Sequence, residues 1–202
     1  MSTLNQLAFR LRRIHAAIAE TVETDISKFP ATIGKNERMI FMLQDFRGGL
    51  SEEQLVNLAF SLIHNVFNLR DHLSKWAKAH GESDQRVWDS FKGSMPLKII
   101  ADLSNAEKHG YPLGRPSWSD RDPKLGRVTR TLQLTAKPGA GWFLFTLGKG
   151  GQPKTVGKGE AKVALTADVL DRDGNRIGDL LEIAEQAVGD WEKLLAELGI
   201  AV

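Results

Sequence analysis

The apolar residues of this chain recur at helical spacing as far as His109 and then, from Arg127 onward, alternate with polar ones. A side-chain period of about 3.6 and a period of two cannot share one element, so helices must give way to strands after Gly110. Leu4, Leu7, Leu11, Ile14, Ile18 and Val22 predict a helix over 3–27. Met39, Ile40, Leu43 and Phe46 predict a shorter one over 36–46, stopped by Gly48-Gly49. Ser51 with Gln54 is a capping box that opens the longest helix, 52–80, closed by Gly81. Helices over 84–92 and 96–109 follow, the latter with Pro96 in its first turn.

After the Gly/Pro/Ser-rich segment 110–126, strands are expected at 127–136, 142–147 and 163–170, and residues 178–198 return to an apolar-faced helix. The expected architecture is mainly α, a helical bundle with a small three-stranded antiparallel β-sheet inserted before the C-terminal helix (α+β). In this reading 1–112 is the bundle, 113–177 the β insertion with basic loops, and 178–202 a helix packing back, all within one domain.

Composition narrows the chemistry. The absence of cysteine removes disulfides, thiolate metal sites and cysteine nucleophiles, and suits a reducing cytoplasm. No run of 18 apolar residues is present, and the polar start with Arg10, Arg12 and Arg13 lacks a signal-peptide core, so no membrane association is expected. The net charge of +2 conceals a strong asymmetry. Residues 107–158 hold ten Lys/Arg against three Asp/Glu, whereas 159–202 hold four against ten. A basic middle of this kind points to an anionic partner, or to a face that meets the acidic tail. Arg115, Arg121, Lys124, Arg127, Arg130, Lys137, Lys149, Lys154 and Lys158 are placed to track a phosphate backbone, with Tyr111, Trp118 and Trp142 available for stacking. Arg130 stands out because it occupies the apolar phase of its strand.

Two groups of polar residues fall among apolar ones. Arg70 sits between the apolar columns of the 52–80 helix and needs a carboxylate, a phosphate or a set of carbonyls, Asp102 being the structural choice. His64 and Asp71 project away from that face. Lys98, Asp102, Asn105 and His109 form a polar stripe along one edge of the 96–109 helix. Histidine suits proton transfer near neutral pH, and a nearby Asp or Asn can orient it. The simpler role for His109 is a cation at a helix C-terminus.

Ser104-Asn105-Ala106-Glu107-Lys108-His109, at the end of a bundle helix, resembles the motif of the HEPN-domain superfamily of small helical bundles. Asn105 and His109 match its Asn-x-x-x-His portion. Ser104 stands where that family has an arginine, and Arg70 on the neighbouring helix is the guanidinium available in its place. The resemblance spans residues 52–112. It implies metal-independent RNA cleavage without a cofactor, with His109 exchanging a proton with a ribose 2′-hydroxyl and an arginine, here Arg70, stabilising the phosphorane; Asp102 and Asn105 of the polar stripe are the residues expected to complete the catalytic site. It also implies a homodimer and a toxin or antiphage-defence role.

The alternative is a non-catalytic dimeric binding or assembly module in which Arg70, Asp102, Asn105 and His109 form a buried polar network. A small-molecule pocket between bundle and sheet is a third reading. Asp171-Arg172-Asp173-Gly174-Asn175 approximates a calcium loop but has Arg176 where glycine is required, so a strand-reversing turn is expected instead. The segment 148–159 lacks phosphate-loop spacing and reads as a basic hairpin tip.

Overall fold

The computed structural model describes residues 3–35, 39–113, 116–139, 142–148 and 150–200. In chain order the elements are α1 (Thr3–Glu20), β1 (Val22–Glu23), β2 (Ala31–Lys35), β3 (Ile40–Gln44), α2 (Glu52–Ala79), α3 (Gln85–Gly93) and α4 (Met95–His109). There follow β4 (Lys124–Ala136), β5 (Phe143–Leu147), β6 (Pro153–Gly157), β7 (Gly159–Leu170), β8 (Arg176–Asp179) and α5 (Leu180–Glu197).

Side-chain caps fix where α2, α4 and α5 begin. Ser51 Oγ accepts from Gln54 N while Gln54 Oε1 accepts from Ser51 N, closing the capping box of α2. Ser94 Oγ accepts from Leu97 N to start α4, and Asp179 Oδ1 accepts from Leu181 N to start α5. Leu62, Ile63 and Val66 of α2, Ile100 of α4, Leu165 and Val169 of β7 and Trp191 of α5 then pack into one core. Trp191 is anchored within it, its indole N–H donating to the Val66 carbonyl at 3.2 Å.

The strands depart from expectation. With 48% helix and 26% strand in three small sheets, the fold is a mixed α+β one and not mainly a bundle with a single three-stranded sheet. The main sheet runs β1-β7-β4, with β8 also paired to β7. Its edge β1 comes from the tail of the expected first helix. Thr21 breaks that helix by turning its hydroxyl and its N–H back to the Ile18 carbonyl, and Leu165 N then takes the Thr21 carbonyl at 2.8 Å. Val128, Leu165 and Val169 share the core with the helices, so the sheet is a wall of that core.

Of the helix expected over 36–46, residues 36–38 lie outside the described ones and the described part is not helical. Segments 31–35 and 40–44 pair as the antiparallel hairpin β2–β3, with Ala31 opposite Gln44. Long-range contacts override helical spacing here: Ala31 N donates to the Gly151 carbonyl at 2.8 Å, and Gln44 Nε2 to the Phe29 carbonyl at 2.6 Å. The expected strand at 142–147 exists as β5 but pairs with β6, inside the supposed loop, and not with the main sheet. Glycines made that segment look irregular, yet they permit close packing. A Cβ on Gly157 would lie 2.6 Å from the Trp142 carbonyl oxygen, and one on Gly159 would enter the Phe143 ring.

At 171–175 the chain reverses, as expected, into the β7–β8 hairpin. Asp171 accepts from the backbone N–H groups of Asp173 and Asn175, and Gly174 has φ of +87°. Among the described residues no helix is long and apolar enough to cross a membrane.

Candidate functional site

Helix α4 is the middle of the helical layer. Residues 97 and 99–105 are buried, and the helix emerges at its start, at Met95, and at its last turn, Glu107 to His109. Gly110, with φ of +87°, ends it by donating to the Ala106 carbonyl at 2.8 Å. The sequence stripe Asp102–Asn105–His109 therefore runs from the core to the surface.

Asp102 lies at the inner end and is 1% exposed. Its carboxylate accepts from Trp118 N at 2.8 Å, Ser119 N at 2.8 Å and Ser119 Oγ at 2.7 Å. It latches the segment after α4 onto the bundle and has no free oxygen to offer a substrate. A catalytic role for Asp102 is thus replaced by a positioning one.

Asp102 is also not the partner of Arg70. The Arg70 guanidinium pairs with Asp71 at 2.9 Å and lies 4.8 Å from the ring centres of Phe67 and Trp88 and 5.3 Å from that of Phe91. Its side chain is 14% exposed, so this aromatic cage is open at one side. Trp118, held by the Asp102 latch, packs edge-on against Phe91 with centroids 5.2 Å apart. The Lys108 ammonium stands 5.3 Å from the centre of Phe67, one ring of that cage, so two cations share one ring.

Asn105 follows Asp102 by three residues and precedes Lys108 by three, which places it between latch and cation along α4. It is 6% exposed and has no side-chain hydrogen-bond partner among the described residues. His109 is exposed, also without a partner among them. Ser104 is wholly buried, with its Oγ unpaired. A guanidinium at that position would point into the core, which explains why an arginine cannot stand there.

His64 does not face open solvent. Its Nε2 is shut off from water, 3.4 Å from Glu107 Oε2 without hydrogen-bond geometry, and its ring tilts against Phe60. Burial holds His64 below the usual histidine range, Lys108 pushes the same way, and Glu107 opposes them. Burial, then Arg10 and Lys75, lower His72 likewise against Asp71. Such groups resist protonation in the folded chain but not in the unfolded one. Their stabilising effect is complete above the unfolded value of about 6.5 and is lost as pH falls below it. The melting temperature is expected to fall between pH 7.5 and 5.5, and His64→Gln to flatten that fall. An unchanged profile in the variant would remove His64 as a contributor.

The basic residues are divided by the structure. Arg121 and Arg127 are exposed, Lys154 is exposed on β6, and Lys124 is half-buried at the start of β4. Arg130 is not free. Its Nη2 donates to the Glu20 carbonyl at the end of α1, at 3.3 Å, and its Nε is buried, so it ties strand to helix. Arg115 and Lys149 lie outside the described residues.

A cleft of about 270 Å³ opens between α2, α4 and β4, walled by Val56, Phe60, Leu103 and Val128, with Glu107 and Lys124 among its lining residues. A larger depression between α3 and α5, about 370 Å³, is lined by charges already engaged, such as Lys193 with Asp190. Among the described residues no three His, Asp or Glu side chains gather to hold a metal ion. The chain matches no model of a known protein family, and comparison with curated proteins and with solved structures finds no significant match.

Proposed function

We propose that the protein is a cytoplasmic, homodimeric RNA-binding protein that cleaves RNA without a metal at the exposed end of α4. The observation that carries this reading is that Lys108, on the emerging turn that also bears exposed His109, shares the Phe67 ring with the half-open Arg70 cage. In the reaction the ribose 2′-oxygen attacks the adjacent phosphorus as its proton passes to His109. The bond from phosphorus to the 5′-oxygen breaks, that oxygen takes a proton from water and His109 returns its own to water, leaving a 2′,3′-cyclic phosphate and a 5′-hydroxyl. Arg70 and Lys108 offset the growing negative charge, and Asn105 orients the phosphate or the imidazole. Arg121, Lys124 and Arg127 extend the cationic surface beyond α4.

The second reading, a non-catalytic binding module, is favoured by one observation: Asp102 and Arg70 both find partners inside the chain. Incubating the protein with mixed RNA, with and without EDTA, separates the two. The expected result is EDTA-resistant cleavage that His109→Ala abolishes while its melting temperature stays unchanged. Binding without cleavage would install the module reading. Affinity that stays flat as salt rises would overturn phosphate contact altogether, since each neutralised phosphate of a single strand steepens the log–log salt slope by about 0.7.

A further inference from the structure

We infer that the cleft between α2, α4 and β4 is a base pocket that takes a guanine turned out of single-stranded RNA. This inference rests on the RNA reading above and names what is recognised beside the reacting phosphate. The cleft's volume of about 270 Å³ falls just under the range of about 300–1,000 Å³ typical of pockets for drug-sized ligands, which suits one flat ring system. Its walls are the apolar side chains of Val56, Phe60, Leu103 and Val128, as stacking or sandwiching of a base requires.

Two charged side chains among the lining residues decide which base fits. Glu107 and Lys124 both line the cleft, yet they form no ion pair with one another. Lys124 has no side-chain partner among the described residues, and the contact of Glu107 is with His64, which burial keeps towards its neutral form. A carboxylate only accepts and an ammonium only donates. Guanine presents N1–H and N2–H side by side, two parallel donors for the two oxygens of Glu107, while its O6 and N7 accept from Lys124. Adenine and cytosine set an acceptor nitrogen beside their one amino group, which opposes a carboxylate. Uracil offers one N–H between two carbonyls. Guanine alone satisfies both residues.

The placement agrees with the proposed chemistry. His109 stands three residues, nearly one helical turn, beyond Ala106, which also lines the cleft, and half-exposed Tyr111 closes the same side. A base held there leaves its ribose and phosphate at the emerging turn of α4.

Calorimetric titration of the full chain with GMP, AMP, CMP and UMP tests the pocket without requiring catalysis. GMP is expected to bind about ten- to a hundredfold more tightly than AMP, the discrimination of one good bidentate contact. Glu107→Gln, a partly exposed position, is expected to erase that preference at unchanged melting temperature, because its amide sets a donor against a donor. Lys124→Met is expected to weaken GMP without favouring AMP. Equal binding of GMP and AMP, or a preference that survives Glu107→Gln, overturns the pocket. A parallel arm uses one RNA oligonucleotide with guanine and one with every guanine replaced by adenine. Equal affinity for the two overturns the pocket and leaves the RNA reading standing. Selective GMP binding with no binding of either oligonucleotide does the reverse, keeping the pocket as a nucleotide site and removing the RNA reading.

Discussion

Asp102→Ala is expected to lower the stability of the folded chain by about 4 kcal/mol, or about 10 °C in melting temperature for a chain of this size. The carboxylate is 1% exposed and takes three hydrogen bonds, at 2.8, 2.8 and 2.7 Å, from Trp118 and Ser119. Truncation leaves two backbone N–H groups near a cavity with no acceptor, and the alanine methyl returns almost none of that loss. Asp102→Asn keeps the shape and one carbonyl oxygen but turns an amide N–H towards a backbone N–H, so about half the loss is expected. Urea unfolding with an unchanged slope measures both. The release of Trp118 from Phe91 and Trp88 is expected to weaken the near-ultraviolet circular dichroism at the same time. A loss under about 1 kcal/mol in the alanine variant would show that the 117–122 segment is held by something else.

Asp102 also shows how far the sequence can be read. The helical period of α2 and α4, the capping box at Ser51 and Gln54 and the turn at Gly174 are local signals, and each specifies a local structure that forms. The polar stripe on α4 is legible for the same reason, since spacing along a helix fixes a face. What spacing does not encode is the partner. Arg70 and Asp102 are oppositely charged and both face inward, yet one is caged by Phe67, Trp88 and Phe91 and the other holds a backbone segment. Arg130 is a further case, a cation on an apolar phase whose acceptor is a helix-end carbonyl no pattern could name.

The missed strands have a related cause. Met39, Ile40 and Leu43 fit helical spacing, and the five residue pairs of β2–β3 are tied to Gly151 and Phe29, outside their own segment. A two-stranded ribbon is marginal alone, so no local preference announces it. His64 was hidden by geometry of the same kind. It projects from the outer side of α2, where Phe60 of its own helix and Glu107 from the end of α4 stand against it.

Arg70→Met is expected to reduce RNA cleavage by about a hundred- to a thousandfold, the usual loss when one group that stabilises transition-state charge is removed. Methionine is chosen because the same side chain also fills space. It restores the apolar contacts with Phe67, Trp88 and Phe91 and forfeits the cation–π attraction, worth about 1–2 kcal/mol in a largely desolvated cage. The variant therefore stays folded while its charge is gone. Arg70→Lys keeps the charge as a point ammonium but loses the planar stacking and the fork of donors, so partial activity is expected. Asp71→Asn frees the guanidinium from its 2.9 Å partner and leaves the cage intact, and it is expected to strengthen RNA binding where Arg70→Met weakens it. Cleavage and affinity are read beside the melting temperature for all three variants. If Arg70→Met lowers the melting temperature by a few degrees and leaves cleavage and affinity unchanged, Arg70 is a plug in an aromatic cage, and the charge at the end of α4 must come from Lys108 alone.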